Sequence, residues 1–125
     1  LKDEWVSHSI SNINRGYDRK SKEYIEVETI KLSDQIKEMD KLPSLLKLDI
    51  EGAVMEVLKD LFENKIFINQ LCVEFEELQN PNAVNRARVG EVERLLKGND
   101  YTCVHADGWN GCNRLYLKND FLNSI

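Results

Sequence analysis

The sequence predicts an α/β domain: an open sheet of parallel strands with helices between them and an antiparallel hairpin at the end. Two apolar runs, Leu45 to Ile50 and Ile66 to Phe75, carry the prediction, because an amphipathic helical stretch follows each. The third observation is a closing pair of β-forming stretches around the loop Asp107-Gly108-Trp109-Asn110-Gly111. With 125 residues the chain suits one ordinary domain and is too short for two.

Residues 1–23 are polar and weakly patterned, and Ser7, Ser9, Ser11, Asn12, Asn14 and Gly16 predict loop. Tyr24 to Ile30 reads as a strand, with Tyr24, Ile25, Val27, Thr29 and Ile30 partly alternating with Glu26 and Glu28. Ser33 is the expected N-cap of a short helix that ends before Pro43. Leu45 to Ile50 is nearly continuous in apolar residues around Lys47, and such runs mark strands buried on both faces. After Gly52, the residues Val54, Val57, Leu58, Leu61 and Phe62 fall on one helical stripe, with Glu56, Lys59, Asp60 and Glu63 away from it. Ile66 to Phe75 is rich in β-branched and aromatic residues and ends at Glu74 and Glu76-Glu77. A loop over residues 77–82 surrounds Pro81. Val89, Val92, Leu95 and Leu96 then line one side of a second helix that stops near Gly98, expected at C′. Tyr101 to Ala106 and Asn113 to Lys118 form the hairpin. Centring it on Trp109 sets Cys112 against Ala106 and Cys103 against Leu115, which argues against a disulfide.

Composition excludes several function classes. Net charge is −5, and the Lys and Arg residues are interleaved with acids, so no basic face is expected and nucleic acid is not an expected partner. No apolar run approaches the ~20 residues of a membrane helix. The polar start Leu1-Lys2-Asp3-Glu4-Trp5 shows no secretory signal. It is not a Met, and the expectation is a chain that begins inside a longer reading frame or after a removed segment. Cys72, Cys103 and Cys112 are odd in number and widely spaced, with no CxxC pair, so no structural metal site is expected. A reduced, cytoplasmic protein is the simplest reading. His8 and His105 have no partners at ligand spacing, so a surface or packing role is expected for both.

Right-handed crossovers put both main helices on one face of the sheet. The apolar strands nevertheless read as buried on two faces, and no spare amphipathic helix of adequate length remains. The expectation is a chain whose bare sheet face is covered by a further, N-terminal half of the domain or by a second copy in a homodimer.

The stretch Leu46-Lys47-Leu48-Asp49-Ile50-Glu51-Gly52-Ala53, followed by Glu56-Val57-Leu58-Lys59, resembles the lysine-acid-glutamate-glycine signature of FkbM-type methyltransferases. Val27 to Ile36, with Thr29, Leu32, Asp34 and Ile36 in register, resembles that family's strand-to-"TLD" segment. Val73-Glu74 and Asp100-Tyr101 are similar to its next strand end and its late "GY" position. The resemblance covers most of residues 24–118. It departs where Val54 stands in place of a second Glu and Asp60 in place of a common Gly. It implies S-adenosylmethionine as cofactor and methylation, mostly of oxygen, on a small-molecule, sugar or lipid-like acceptor. The fold it implies is the C-terminal half of a Rossmann-like class I methyltransferase fold, parallel strands with a terminal antiparallel hairpin. Residues 1–125 would then be a partial domain, inactive alone, because the family's N-terminal strand, glycine-rich loop and ribose-binding acid have no counterpart here. By the same resemblance Ser7 and Ser9 lie near the acceptor side.

Ligands of open parallel sheets bind at the carboxyl ends of the strands. Asp49 is placed there to take a proton from an acceptor hydroxyl or to hydrogen-bond it, and Glu51 to bind the acceptor or hold the loop. The structural alternative is that both carboxylates cap the helix after Gly52. Lys47 snorkels to the sheet edge or pairs with Glu74. Glu74 and Glu76 point to the face opposite Phe75, where one of them lines the crevice and the other is solvated. Trp109 either stacks on an acceptor or is an ordinary exposed turn aromatic. Two other classes stay open. A metal-dependent phosphohydrolase of the haloacid dehalogenase type also ends a strand in acid-x-acid-Gly, but it needs an aspartate as the second acid and usually Thr after the Gly, where Glu51 and Ala53 stand. A docking or regulatory fragment would use the bare sheet face to bind a partner.

Overall fold

The computed structural model describes residues 28–50 and 52–125. Their centre is a four-stranded mixed sheet in the order β1-β2-β4-β3. β1 (Leu45–Leu48) runs parallel to β2 (Gln70–Glu74), with Leu48 opposite Val73. β4 (Asn113–Lys118) lies antiparallel between β2 and β3 (Tyr101–Asp107). β3 therefore points the same way as β1 and β2, and the turns leaving all three share one edge of the sheet.

Among the described residues α2 (Val54–Glu63) and α3 (Ala83–Gly98) join the strands, α1 (Leu32–Lys37) precedes β1 and α4 (Asn119–Leu122) follows β4. The apolar stripe of α2 buries Val54, Leu58, Leu61 and Phe62. Phe62 stacks on Tyr101 of β3 at 5.7 Å, and Glu93 of α3 is ion-paired with Arg114 of β4. Tyr101 pairs with Lys118, which alternates onto the same face as Arg114. Both helices thus cover one side, as right-handed crossovers require. Between them and the sheet sit Leu48, Leu71, Val73, Phe75, Leu96 and Tyr116. No helix among the described residues is long and apolar enough to cross a membrane.

Several expectations are corrected. β1 is not buried on both faces: Leu48 is buried, but Leu45 is 51% exposed and Lys47 is exposed too. The second run begins its ladder only at Gln70. Lys65 turns the chain at φ 59, and Ile66 and Ile68 are buried outside the ladder, where the Ile68 carbonyl accepts from the Tyr101 hydroxyl at 2.7 Å. Residues 28–30 have no regular structure, and the rest of the expected first strand lies outside the described residues. Gly98 is the last residue of α3 rather than its C′ residue, and the left-handed turn falls to Asp100 at φ 62. Lys118 holds that bend, with Nζ donating to the Asn99 carbonyl at 2.7 Å and 3.6 Å from the Asp100 carboxylate. The hairpin loop is centred on Asn110 rather than Trp109, so Ala106 faces Arg114, and a bulge between Cys103 and His105 then sets Cys103 opposite Tyr116. All three cysteines are free.

Ser33 is not an N-cap either. Lys31 occupies that position, and Ser33 lies buried inside α1, its backbone N–H donating to Asp60 Oδ2 at 3.1 Å. The first turn of α1 is thus capped from α2 instead of locally. Hydrogen bonding from Ser33, aided by the charges of Lys31 and Lys37, holds the Asp60 carboxyl below its ordinary value. A depressed folded-state value stabilises the fold above the ordinary carboxylate range, and the contribution is lost as pH falls through the folded value. Asp60→Asn is expected to cost about 0.5–1 kcal/mol at neutral pH, a cap-sized loss for a partly exposed group. The difference from wild type should vanish in strong acid, which urea melts at the two pH values would read.

Candidate functional site

The site is built where β1, β2 and β3 end. After β1 the chain passes through Asp49 and Ile50 to Gly52, whose φ of 92 is a conformation that strains any side-chain-bearing residue. The Ala53 N–H closes this turn on the Ile50 carbonyl at 3.3 Å, and α2 starts immediately. Asp49 is therefore fixed between the strand tip and the helix start. It does not serve as the cap of α2: the N-cap is Ala53, which has no side-chain bond to give.

Asp49 Oδ2 instead accepts from Lys47 Nζ at 3.0 Å, with 43% of the Asp49 side chain still exposed. Strand alternation puts both on the side of the sheet away from α2 and α3. The hydrogen bond with Asp49, then that carboxylate's charge, raises the Lys47 ammonium above its ordinary value, with Glu74 and Cys72 adding to it. Lys47 consequently stays charged through the neutral and mildly alkaline range, and Asp49 keeps a cation beside it. The expected pairing of Lys47 with Glu74 gives way to this shorter partnership, because two residues along the strand lie closer than the neighbouring strand's tip.

Glu74 ends β2 opposite Asn113, and Asn113 in turn pairs with Asp107 at the end of β3. Asp49 follows Leu48, whose partner Val73 precedes Glu74. The last row of the sheet on its open side thus reads Asp49, Glu74, Asn113, Asp107. The row below it reads Lys47, Cys72, Leu115, His105. His105 Nε2 lies 3.3 Å from Asp107 Oδ2, both side chains well exposed. Among the described residues no three His, Cys, Asp or Glu side chains converge as metal ligands.

Of the residues expected from sequence, the structure brings Asp49 and Glu74 to one edge. Glu51 and Ser9 lie outside the described residues. Sequence reasoning missed His105, Asp107 and Asn113 as members of the same edge. Alternation within the hairpin carries that signal, but the pairing of Asp107 with Asn113 follows only once the loop is centred on Asn110.

The β3–β4 loop closes the edge. The Phe75 N–H donates to the Cys112 carbonyl at 2.8 Å, and Asn110 Nδ2 to the Leu78 carbonyl at 3.0 Å. Gly108 sits at φ 75, where a Cβ would come within 2.7 Å of Asn113 Nδ2. Trp109, at the tip, is 73% exposed. A family model described as the methyltransferase FkbM domain matches residues 3–103. No curated protein and no solved structure matches the chain.

Proposed function

The chain belongs to the FkbM methyltransferase domain family, and from that premise we propose that it transfers a methyl group to a hydroxyl oxygen of a small-molecule, sugar or lipid-like acceptor. The observation that supports this best is Asp49: a solvent-reachable carboxylate at the tip of a parallel strand, held by Lys47 and not consumed as a helix cap.

S-adenosylmethionine is the cofactor this reading implies, and it supplies the methyl group when bound. Among the described residues no glycine-rich turn follows β1 or β2, so they do not form the donor's cradle, and their work is on the acceptor. Asp49 accepts the hydrogen bond of the acceptor hydroxyl and takes its proton as that oxygen becomes nucleophilic. Lys47 positions the Asp49 carboxylate. Glu74, and with it Glu51 and Ser9, bind the acceptor. The sheet is read as the C-terminal half of a Rossmann-like class I methyltransferase fold. Two features support that: the β1 edge carries no neighbour among the described residues, and Leu45 and Lys47 leave one face open. Residues 1–125 form part of that domain and are inactive alone.

Calorimetry tests the reading directly. The protein carrying these residues together with any encoded segment before Leu1 is expected to bind S-adenosylmethionine, whereas residues 1–125 alone are expected to bind it weakly or not at all. Micromolar binding to residues 1–125 alone refutes the division of labour. Failure of the longer protein to bind refutes the function.

A further inference from the structure

We propose that the tip of the β3–β4 hairpin, where Trp109 lies in the loop that joins Asp107 to Asn113 next to His105 on the strand, is a subsite for a glycosyl ring of the acceptor. The inference rests on the methyltransferase reading only for the hydroxyl that reacts, and it deepens that reading by naming the acceptor's class.

Three observations carry it. The first is position. Because β3 is parallel to β1 and β2, its closing loop lies on the same edge as Asp49 and Glu74. Trp109 is therefore at the same end of the sheet as Asp49 and Glu74 rather than at the far end.

The second is the chemistry on display. An indole 73% exposed stands two residues after Asp107, in the loop between Asp107 and Asn113. Asp107 itself is 3.3 Å from His105 Nε2. A sugar ring has apolar C–H faces that pack on an aromatic plane and equatorial hydroxyls that need carboxylate, amide and imidazole partners. The polar row supplies these groups. Phosphate or carboxylate ligands do not suit it, because Asp49, Glu74 and Asp107 repel anions while Lys47 is already engaged with Asp49.

The third is preorganisation. The loop is pinned to β2 by the Phe75–Cys112 hydrogen bond and to the 3-10 turn Glu76–Gln79 by the Asn110–Leu78 bond. A fixed tip presents its indole without a further cost of ordering the loop backbone on binding.

Strand spacing sets the acceptor's length. Asp49 and Asp107 stand three strand spacings apart, about 14 Å. An acceptor that offers its hydroxyl to Asp49 and also stacks on Trp109 is longer than one sugar ring, which points to an oligosaccharide or a glycosylated compound.

The test uses the intact protein, with Trp109→Ala, Trp109→Phe and His105→Ala variants checked by thermal melting. Cellobiose, maltose and chitobiose are titrated by saturation-transfer NMR and tryptophan fluorescence, with 2-naphthol as a non-glycosyl aromatic. At least one disaccharide is expected to bind, about tenfold more weakly to Trp109→Ala and within about threefold of wild type to Trp109→Phe. His105→Ala should weaken binding by a smaller factor. Octyl maltoside below its micelle concentration separates the sources: tighter binding than maltose indicates a lipid-linked glycosyl group, equal binding a free one, and either supports the subsite. No disaccharide binding, binding indifferent to Trp109→Ala, or 2-naphthol binding alone overturns it. S-adenosylmethionine binding on the same samples keeps the two readings apart. Donor binding without sugar binding defeats the subsite and spares the methyltransferase reading. Sugar binding without donor binding does the reverse.

Discussion

Asp49→Asn in the intact enzyme is expected to lower kcat by about a hundredfold or more while leaving S-adenosylmethionine affinity unchanged. A hundredfold loss corresponds to about 2.7 kcal/mol of lost transition-state stabilisation. The substitution is nearly isosteric, and its amide oxygen still accepts from Lys47, so the strand-tip geometry formed by Lys47, Asp49 and Gly52 is preserved. It removes the charge and basicity that the acceptor proton requires. Because the Asp49 side chain is 43% exposed, little stability is at stake and the comparison is free of unfolding. The split between kcat and KM discriminates further: a merely orienting carboxylate raises KM and leaves kcat nearly unchanged. Unchanged turnover removes Asp49 from the mechanism.

The place of Asp49 at a strand tip was legible from sequence because its signal is local: an apolar run, an acid, a glycine and an amphipathic helix follow one another within a dozen residues. The parallel pairing of β1 with β2 and the placement of α2 and α3 on one face were legible for the same reason, since short crossovers have one hand. What failed was non-local. Ser33 has the composition of an N-cap, yet tertiary contact with Asp60 buries it as the second residue of the helix. Gly98 has the composition of a helix stop, yet Lys118 fixes the bend at Asp100. The hairpin register turned on the centre of its loop, Asn110 rather than Trp109, and beyond that on one bulged residue, Val104, neither of them visible in a pattern of small and β-branched residues. The misplaced loop centre hid the pairing of Asp107 with Asn113 beside Glu74, and so half of the edge.

Leu58→Ala is expected to cost about 3 kcal/mol, within the range measured for buried Leu truncations. Leu58 has no exposed surface and lies on the α2 stripe among Leu48, Leu61, Leu71 and Val73 of the one core that the described residues build. With a single covered face, no second core absorbs the cavity, and a loss of this size is a large part of the 5–15 kcal/mol that holds a typical domain together. Urea melts should show the midpoint falling with little change in slope. Val84→Ala, at a position 62% exposed on α3, is the control and should stay within about 0.5 kcal/mol. A loss below about 1 kcal/mol at Leu58 would mean that the layer formed by α2 is not what holds the sheet. The consequence reaches the edge where Asp49 sits. α2 starts one residue after the Gly52–Ala53 turn, so a helix loosened at Leu58 no longer fixes the strand tip. Activity in Leu58→Ala should therefore fall at lower temperature than its global melt, whereas in Asp49→Asn the two are unlinked.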